Sequence, residues 1–547
     1  MNIKKTETGI NREIYFKHGA ETESPSQHPI RDAFKKGMSA MKLPRLDPKG
    51  IKQKWNTYKQ FYNTDEAPDV VGIQAKKNLI KCRRQLACRS FNTIGSLKKG
   101  FAVKGRFLTF SSLNHWLCKF FRKIGLGIVG NMLDLETDEV KGGVNFQMKV
   151  KNKSGEVITT RNGIANNEGN FNLDVKLTDK EKKKVKGQDL RYDVFFRSVE
   201  DENSRQAYFN KHEESTHPVG AGNIHLVKPG ETVISSDIDK TIMDTTIGPG
   251  YFYQEPWKRK FLPGAIPLYR ALSEDVHTVS GSTTNLSTNI LSAMESEGIE
   301  PRALEFKNWT KKRIGEGFRK RIKRISEQVG FKLKKQVGIS SHLPPGVKTI
   351  AQGDITEYDP IFYLLFHGIS SGDLSTERLE KMFSDKTTWP ELARVHDTDK
   401  KQILQAVDEV PKGDGLEIIC INAGSGKPDE PHLSNKHGLK LKDFITFADR
   451  LESLETGKAH YRDKIIFTDN YLQTAIYHYQ NGHPKVDEKV ILDVGKDIVS
   501  RGFTPAYVAL TLNAVVSEKG KSAPRKFLDS MTLKKLWPAL KKEGIVV

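Results

Sequence analysis

A short apolar segment that runs directly into two aspartates places the strongest constraint on how this chain folds. Residues 232–236 read TVISS, the pattern of a buried strand, and the motif Asp-Ile-Asp-Lys-Thr follows at once as residues 237–241. In an open parallel sheet, ligands bind beyond the carboxyl ends of the strands. The pattern therefore predicts an α/β region in which Asp237 and Asp239 face a ligand-binding crevice.

The spacing of these two aspartates suits covalent phosphoryl transfer. The Asp237 carboxylate can attack phosphorus and form an aspartyl-phosphate. Asp239 can protonate the leaving oxygen and then activate the water that breaks the phosphoenzyme. A Mg²⁺ ion beside Asp237 would offset the repulsion between carboxylate and phosphate. Thr241 of the same motif is a candidate substrate contact, and the alternative is that the motif is only a turn.

A second segment can hold the phosphate group of a substrate. Residues 275–279 (DVHTV) predict a strand, and Ser280, Gly281 and Ser282 follow it. Hydroxyls and backbone N–H groups at such a strand end can bind phosphate oxygens. Ser280 is favoured over Ser282 because it ends the strand. The alternative is a turn that caps the next helix.

Two further segments add a cation and two carboxylates. Lys332 opens a helical run and can stabilise the charge of a transferring phosphoryl group, although a surface lysine is the alternative. Residues 347–352 (VKTIAQ) predict a strand that leads to Asp354 and Asp359. Carboxylates on such a loop are typical Mg²⁺ ligands, and the predicted metal set is completed by Asp237 and Asp239. Asp359 precedes a proline and can instead cap the following helix.

These motifs and several others between residues 220 and 485 resemble the App-type phosphatidate phosphatases of the haloacid dehalogenase superfamily, in the order found in that family. Lys332 lies 22 residues before Asp354, which matches the family's motif lysine. The other matching segments are residues 223–242, 261–272 (FLPGAIPLYRAL), 279–286 (VSGSTTNL), 353–363 (GDITEYDPIFY), 416–422 (LEIICIN) and 466–478 (IFTDNYLQTAIYH).

The resemblance implies a Rossmann-like haloacid-dehalogenase parallel sheet and a Mg²⁺-dependent hydrolysis of phosphatidate to diacylglycerol. It implies Asp237 as the nucleophile, Asp239 as the acid and base, and Ser280 with Lys332 as phosphate contacts. It also implies that Asp354 and Asp359 hold Mg²⁺. The sequence departs from the family pattern at Lys240, where the family has aspartate, at residues 283–284, where it has Pro-Trp, and in a larger basic insert before Lys332.

Charge and hydrophobic alternation predict three regions. Residues 1–100 carry 21 Lys+Arg and 9 Asp+Glu, 21 − 9 = +12, and are predicted to be a basic N-terminal extension, partly helical or irregular. Residues 101–230 are predicted to be a small antiparallel β-sandwich, because alternating apolar runs at 144–150 and 171–177 flank a turn at 167–169. Residues 117–124 have the spacing of a basic amphipathic helix, which fits either a membrane or the protein core. Residues 231–547 are the predicted phosphatase domain with C-terminal helical elements.

The formal charge of +21 favours an anionic partner. Residues 307–335 carry 12 Lys+Arg and 2 Glu, 12 − 2 = +10, and are predicted to attract an anionic phospholipid surface. Nucleic acid is not favoured, because aromatic residues do not interleave regularly with these charges. The chain lacks a run of about 18 apolar residues, a secretory signal and a disulfide framework. It is therefore expected to be cytoplasmic and peripherally membrane-associated.

Two alternatives stay open from the sequence. The substrate can be another phosphomonoester, such as an inositol phosphate, a phosphoprotein or a nucleic-acid end. The chain can also be a basic adaptor that binds lipid or nucleic acid and carries a weak phosphatase fold.

Overall fold

The computed structural model describes residues 84–111, 139–140, 143–166, 169–185, 189–199, 218–244, 259–283, 287–307, 328–355, 358–392, 395–413, 416–421, 441–454, 461, 464–517 and 527–547. Most of the predicted basic extension lies outside these residues. The predicted amphipathic helix at residues 117–124 and most of the basic stretch, residues 308–327, lie outside them as well.

The N-terminal half of the described chain forms one nine-stranded sheet. Its main path runs β1-β3-β2-β9-β8-β5-β6, and β4 and β7 both pair with β3. Most neighbours are antiparallel, but β2 and β9 are parallel. The strands are β1 Arg84–Ser90, β2 Thr93–Ser96, β3 Gly100–Ser111, β4 Glu139–Val140, β5 Val144–Lys151, β6 Val157–Ile164, β7 Asn170–Val175, β8 Leu190–Val199 and β9 Gly220–Leu226.

This sheet curves around a single core. Four strand spacings separate β3 from β5 along the main path, which is about 19 Å in a flat sheet. Nevertheless, the ring centroids of Phe107 on β3 and Phe146 on β5 lie 5.5 Å apart. Phe171 on β7 lies 4.4 Å from Phe146. Strands near the two ends of the path are thus brought together, and the sheet is barrel-like.

The predicted fold class, a Rossmann-like haloacid-dehalogenase parallel sheet preceded by an antiparallel β-sandwich and a basic extension, does not describe this chain. A sandwich needs two separate sheets that pack face to face, whereas these strands belong to one curved sheet that includes a parallel pair. The sheet also contains β1 and β2, which fall within the residues that were predicted to be an extension. Alternation identifies the side chains that face a core, but it does not specify how the strands pair.

Strand β5 illustrates this difference. Its residues alternate between buried and half-buried along its whole length, as the sequence predicts. The predicted turn at residues 167–169 would pair β5 with β7. Instead, β6 lies between them in the chain and pairs with β5, while β7 pairs with β3. Residues 167–168 themselves lie outside the described residues.

The C-terminal half contains a six-stranded parallel sheet of order β12-β11-β10-β13-β14-β15. Buried residues alternate between its two faces: Ile350 and Ile419 join one hydrophobic cluster, and Ala351 and Ile418 join another. Helices therefore cover both faces, as a parallel sheet requires. The strands are β10 Thr232–Ser236, β11 Val276–Thr283, β12 Ala303–Lys307, β13 Lys348–Asp354, β14 Leu416–Ile421 and β15 Ile465–Thr468, and a separate pair is β16 Val516–Ser517 and β17 Leu528–Asp529.

The helices are α1 Asp179–Val185, α2 Ala265–Leu272, α3 Ser287–Ser296, α4 Gln328–Ser340, α5 Asp359–Ser371, α6 Thr376–Ser384, α7 Asp397–Ala406, α8 Leu441–Glu452, α9 Tyr471–Gln480, α10 Glu488–Ser500, α11 Pro505–Ala514 and α12 Ser530–Lys542. Many begin at a capping side chain. Asn470, Asp487, Thr504 and Asp529 each accept a hydrogen bond from the backbone N–H three residues further on. Such caps satisfy N–H groups that have no partner within the helix.

The barrel-like sheet contacts the parallel-sheet region directly. Phe91, which follows β1, packs in a hydrophobic cluster of the parallel sheet. Ser96 Oγ donates a hydrogen bond to the His342 carbonyl at 2.9 Å. Lys104 on β3 and Lys335 on α4 both pair with Glu305 on β12, and Glu305 is buried. Because Lys335 lies on α4, this junction anchors that helix.

Among the described helices, none combines the length and the apolar character that crossing a bilayer would require.

Candidate functional site

The carboxyl ends of β10 and β13 meet at the centre of the parallel sheet. The chain passes from β10 to β11 and β12 on one side, whereas β13, β14 and β15 lie on the other. A crevice opens at the carboxyl ends where the strand order switches in this way. Asp237 directly follows β10, and Asp354 is the last residue of β13. The sheet thus brings two predicted carboxylates to one edge.

Asp237, Asp354 and Asp359 form a buried group, in which one carboxylate oxygen of each lies within 4.8 Å of the others. At most 1% of each residue is exposed. Gly353 leaves space for Asp359, since an added Cβ at Gly353 would lie 2.5 Å from Asp359 Oδ2. The N-cap residue of α5 is Tyr358, and Asp359 is the first helical residue. Its carboxylate therefore belongs to this group rather than to a helix cap.

Lys332 supplies a buried cation that pairs with two of these carboxylates. Its side chain is 1% exposed, and Nζ lies 3.3 Å from Asp237 Oδ1 and pairs with Asp359 Oδ1. Nζ also lies 5.7 Å from the centre of the Phe362 ring. Helix α4 brings this lysine to the carboxylates from one face of the sheet, where Leu333 and Val337 pack into the core. A buried lysine of this kind is stable only with such partners.

The three carboxylates contribute to the raised pKa values of neighbouring acidic groups. Burial raises the pKa of the Cys420 thiol well above its usual value, and Asp359 and Asp354 raise it further. Burial likewise raises the pKa of Tyr363, with Asp359 and Asp237 adding to the effect. Both side chains are therefore neutral near pH 7.

Oxygen ligands around Mg²⁺ at 2.0–2.1 Å lie about 3–4 Å from one another. The oxygens of Asp237, Asp354 and Asp359 come within 4.8 Å of one another, so this donor set fits such an ion after a small adjustment. The carboxylate of Asp239, which the sequence also predicted as a ligand, is not part of this group.

The rest of the aspartate motif forms a tight turn beside the site. Asp239 is half-buried, and its backbone forms an isolated β-bridge with Met243. The Met243 carbonyl accepts a hydrogen bond from the Lys240 N–H at 2.8 Å. Lys240 has a φ of 57°, a left-handed conformation that few non-glycine residues adopt. Thr241 is fully buried, and its carbonyl accepts a hydrogen bond from the Tyr471 hydroxyl. Among the described residues, Thr241 Oγ1 has no hydrogen-bond partner.

Ser280, Gly281 and Ser282 lie within β11 rather than after it. The strand continues to Thr283, and its pairing with β12 is irregular between Val279 and Thr283. Because Ser236 lies opposite Thr278, the register places residues 280–282 beyond the carboxyl end of β10. The backbone of these residues therefore lies at the same edge of the sheet as Asp237, and their predicted contact with a phosphate group stays a prediction.

A buried polar network that the sequence analysis did not identify lies behind Asp237. Tyr269 Oη lies 2.7 Å from Ser236 Oγ and donates to Gln352 Oε1 at 2.7 Å. The side-chain amide of Gln352 reaches His478 Nε2 at 2.6 Å. Burial lowers the pKa of His478 to about 3, so this histidine is neutral. A glutamine and a histidine in apolar segments were the sequence signals for this network, because such buried groups need partners.

Comparison with known proteins leaves the family open. No family model matches the chain, and a search of curated proteins finds no match. Solved structures with some likeness include the β-D-glucuronidase of Dictyoglomus thermophilum, with 10% identity, a TM-score of 0.22, and coverage of 84% of this chain and 61% of that chain. The β-glucuronidase of Lactobacillus rhamnosus has 10% identity, a TM-score of 0.23, and coverage of 84% and 69%. The chain spans about 60% of the length of the first such structures. Similarity at these TM-scores supports neither a shared fold nor a shared function.

Proposed function

We propose that this protein is a Mg²⁺-dependent phosphatase that works through an aspartyl-phosphate on Asp237. The observation that carries the proposal is the group of three buried carboxylates with Lys332, at the carboxyl edge of the parallel sheet. Buried carboxylates this close together repel one another unless cations hold them. Their position at the switch in strand order is where such sheets bind ligands.

Asp237 and Asp239 divide the bond-making and proton-transfer roles. An Asp237 oxygen attacks phosphorus, and the bond from phosphorus to the ester oxygen breaks. Asp239 gives its proton to the leaving oxygen and later removes a proton from water. That water attacks phosphorus and releases phosphate from Asp237, which restores both carboxyl groups. The half-buried position of Asp239 suits this role, because the proton must be exchanged with the substrate and with water.

Lys332 keeps Asp237 ionised and directs the phosphoryl group. Its ammonium lies 3.3 Å from Asp237 Oδ1, and a cation at that distance favours the charged carboxylate that must act as the nucleophile. The same charge can stabilise the equatorial oxygens of the phosphoryl group during transfer. The backbone of residues 280–282, which follows the part of β11 that pairs with β10, is the proposed second contact for those oxygens.

Asp237, Asp354 and Asp359 would hold the Mg²⁺ ion. When bound, Mg²⁺ supplies positive charge that lets an anionic carboxylate approach an anionic phosphate.

Phosphatidate is the substrate that we propose, and the sequence resemblance to App-type phosphatidate phosphatases supports it. The formal charge of +21 also favours attraction to an anionic membrane surface. We therefore propose peripheral association with the membrane.

Replacing Arg319, Lys320, Lys323 and Arg324 with glutamate should weaken binding to phosphatidate vesicles and leave hydrolysis of a small phosphomonoester nearly unchanged. Loss of activity toward the small substrate in the folded variant would instead make these residues part of the site.

The deciding experiment measures phosphate release with and without Mg²⁺. The substrates are phosphatidate vesicles, an inositol phosphate, a phosphopeptide and a 5′-phosphorylated oligonucleotide. Asp237→Asn should abolish turnover because an amide is a poor nucleophile, and Asp239→Asn should lower turnover about 10²–10⁴-fold. Asp469→Asn is the matched control, since Asp469 directly follows β15 at the same edge of the sheet but lies outside the three-carboxylate group.

Turnover of an inositol phosphate, phosphopeptide or oligonucleotide in place of phosphatidate would support the proposed mechanism and refute phosphatidate as the substrate. Equal activity of Asp237→Asn and the wild type would refute the assignment of the nucleophile. Wild-type turnover that does not depend on Mg²⁺ would refute the proposed requirement for Mg²⁺.

A further inference from the structure

The Asp237 backbone is held from both faces of the parallel sheet. Its N–H donates to the Gln352 carbonyl at 2.9 Å. The Tyr363 hydroxyl contacts that same carbonyl at 2.8 Å and the Ser235 carbonyl at 3.3 Å. Tyr363 belongs to the hydrophobic cluster on one face, and Tyr269 belongs to the cluster on the other. The two tyrosines thus approach the end of β10 from opposite sides.

Tyr269 acts through Ser236, the residue immediately before Asp237. Ser236 Oγ lies 2.7 Å from Tyr269 Oη and 2.8 Å from the Asp237 carbonyl oxygen. Tyr269 Oη in turn donates to Gln352 Oε1. Ser236, Tyr269 and Gln352 are fully buried, so water cannot replace a lost partner, and each broken bond leaves an unsatisfied polar group.

The available protons determine which group donates each hydrogen bond of this network. Neutral His478 accepts at Nε2 from the Gln352 amide, which leaves Gln352 Oε1 to accept from Tyr269. Tyr269 then has no second proton, so the Ser236 hydroxyl must donate either to Tyr269 or to the Asp237 carbonyl. The chain Ser236, Tyr269, Gln352, His478 satisfies each hydroxyl and amide in turn. Such chains gain strength cooperatively at low dielectric.

We propose that Tyr269 is a positioning residue for Asp237, and that it fixes the direction from which the Asp237 carboxylate enters the site through Ser236 and Gln352. This inference rests on the proposed function for its catalytic consequence. When a nucleophile is displaced by a fraction of an ångström, the reaction becomes slower although the substrate still binds. Asp354 ends β13 and Asp359 begins α5, so two of the three proposed Mg²⁺ ligands lie outside the segment that follows β10, and binding of Mg²⁺ should depend less on Tyr269.

Tyr269→Phe tests the proposal, because it removes one oxygen and keeps the ring. We expect kcat to fall roughly tenfold while KM changes by less than about twofold, since alignment is lost rather than binding. The double variant Ser236→Ala/Tyr269→Phe should lose little more than the larger single effect, because both changes break one chain. Tyr461→Phe is the control. Tyr461 is also a buried tyrosine, but it packs against His367 in the other hydrophobic cluster.

A second readout is independent of activity. Hydrogen exchange of the peptide that spans residues 232–241 should become faster in Tyr269→Phe than in Tyr461→Phe. Faster exchange with unchanged kcat would make the network merely structural and overturn the proposal. Unchanged exchange together with unchanged kcat would show that Tyr269 does not hold this segment. A wild type that is inactive on every substrate would refute the proposed function, while unchanged exchange in Tyr269→Phe would still overturn the positioning role.

Discussion

Replacing Lys332 with methionine should destabilise the parallel-sheet region because it leaves three buried carboxylates without their cation. Methionine keeps most of the side-chain volume, so the change is mainly one of charge. The Lys332 ammonium lies 3.3 Å from Asp237 Oδ1. At that distance and an effective dielectric constant near 20, the attraction is about 5 kcal/mol. Part of it is offset by the desolvation of lysine, so we expect a loss of about 3–5 kcal/mol in the free energy of unfolding.

Two conditions should restore stability to Lys332→Met. The three carboxylates then repel one another unopposed, so their pKa values rise. A group whose pKa is raised in the folded state adds stability as the pH falls through that value, so the deficit in stability should shrink as the solution is acidified from pH 7. Mg²⁺ should also help, by about 2.7 kcal/mol at 100 times its Kd.

Urea denaturation followed by circular dichroism, with and without Mg²⁺, measures these effects. Lys334→Met is the matched control, because Lys334 lies on the same helix and pairs with the partly exposed Asp399 outside the site. That control should cost at most about 1 kcal/mol. The reasoning fails if Lys332→Met is no less stable than Lys334→Met, or if neither Mg²⁺ nor acid narrows the difference.

Two other perturbations follow from the same structure. Gly353→Ala should displace Asp359, because the new Cβ would lie 2.5 Å from Asp359 Oδ2, and calorimetry should then show weaker Mg²⁺ binding. Gly338→Ala is the control, because a Cβ there meets nothing within 4 Å, and Mg²⁺ binding should stay unchanged. Burial lowers the pKa of His277 and that of His483 to about 4, and that of His478 to about 3. The unfolded chain therefore binds three more protons below about pH 6.5, and the free energy of unfolding should fall by about 4 kcal/mol per pH unit down to about pH 4. Denaturation midpoints at several pH values check this slope, which His277→Gln should reduce by about a third. An unchanged slope in that variant would exclude His277 as a contributor.

Short segments with a clear apolar pattern could be predicted from the sequence. Residues 232–236 and 348–354 form β10 and β13 because their apolar side chains are buried between helical layers. The order of the strands depends on pairing between distant residues, and no local pattern contains it. For this reason the barrel-like closure of β3 onto β5 was missed, although the alternation within β5 was recognised.

The candidate site was predictable where chemistry depends on residue type and strand ends. Asp237 and Asp354 were selected for those reasons, whereas Lys332 was selected for its spacing from Asp354 in the family resemblance; the structure places the three together. Asp359 was ambiguous because a helix cap and a metal ligand both require an aspartate before a proline. Its conformation was decided by Gly353, whose missing side chain leaves the space that the carboxylate occupies.

The same glycine also explains why one edge of the sheet can concentrate so much charge. A side chain at residue 353 would separate Asp359 from the end of β13 and leave its carboxylate pointing away from Asp237. With glycine there, three carboxylates converge, and their mutual repulsion must be offset by a cation or by protonation. Lys332 pairs with Asp237 and Asp359 and supplies one positive charge to this edge. In the function that we propose, Mg²⁺ would supply further positive charge at the same place, which separates a metal-dependent site from a purely structural ion pair.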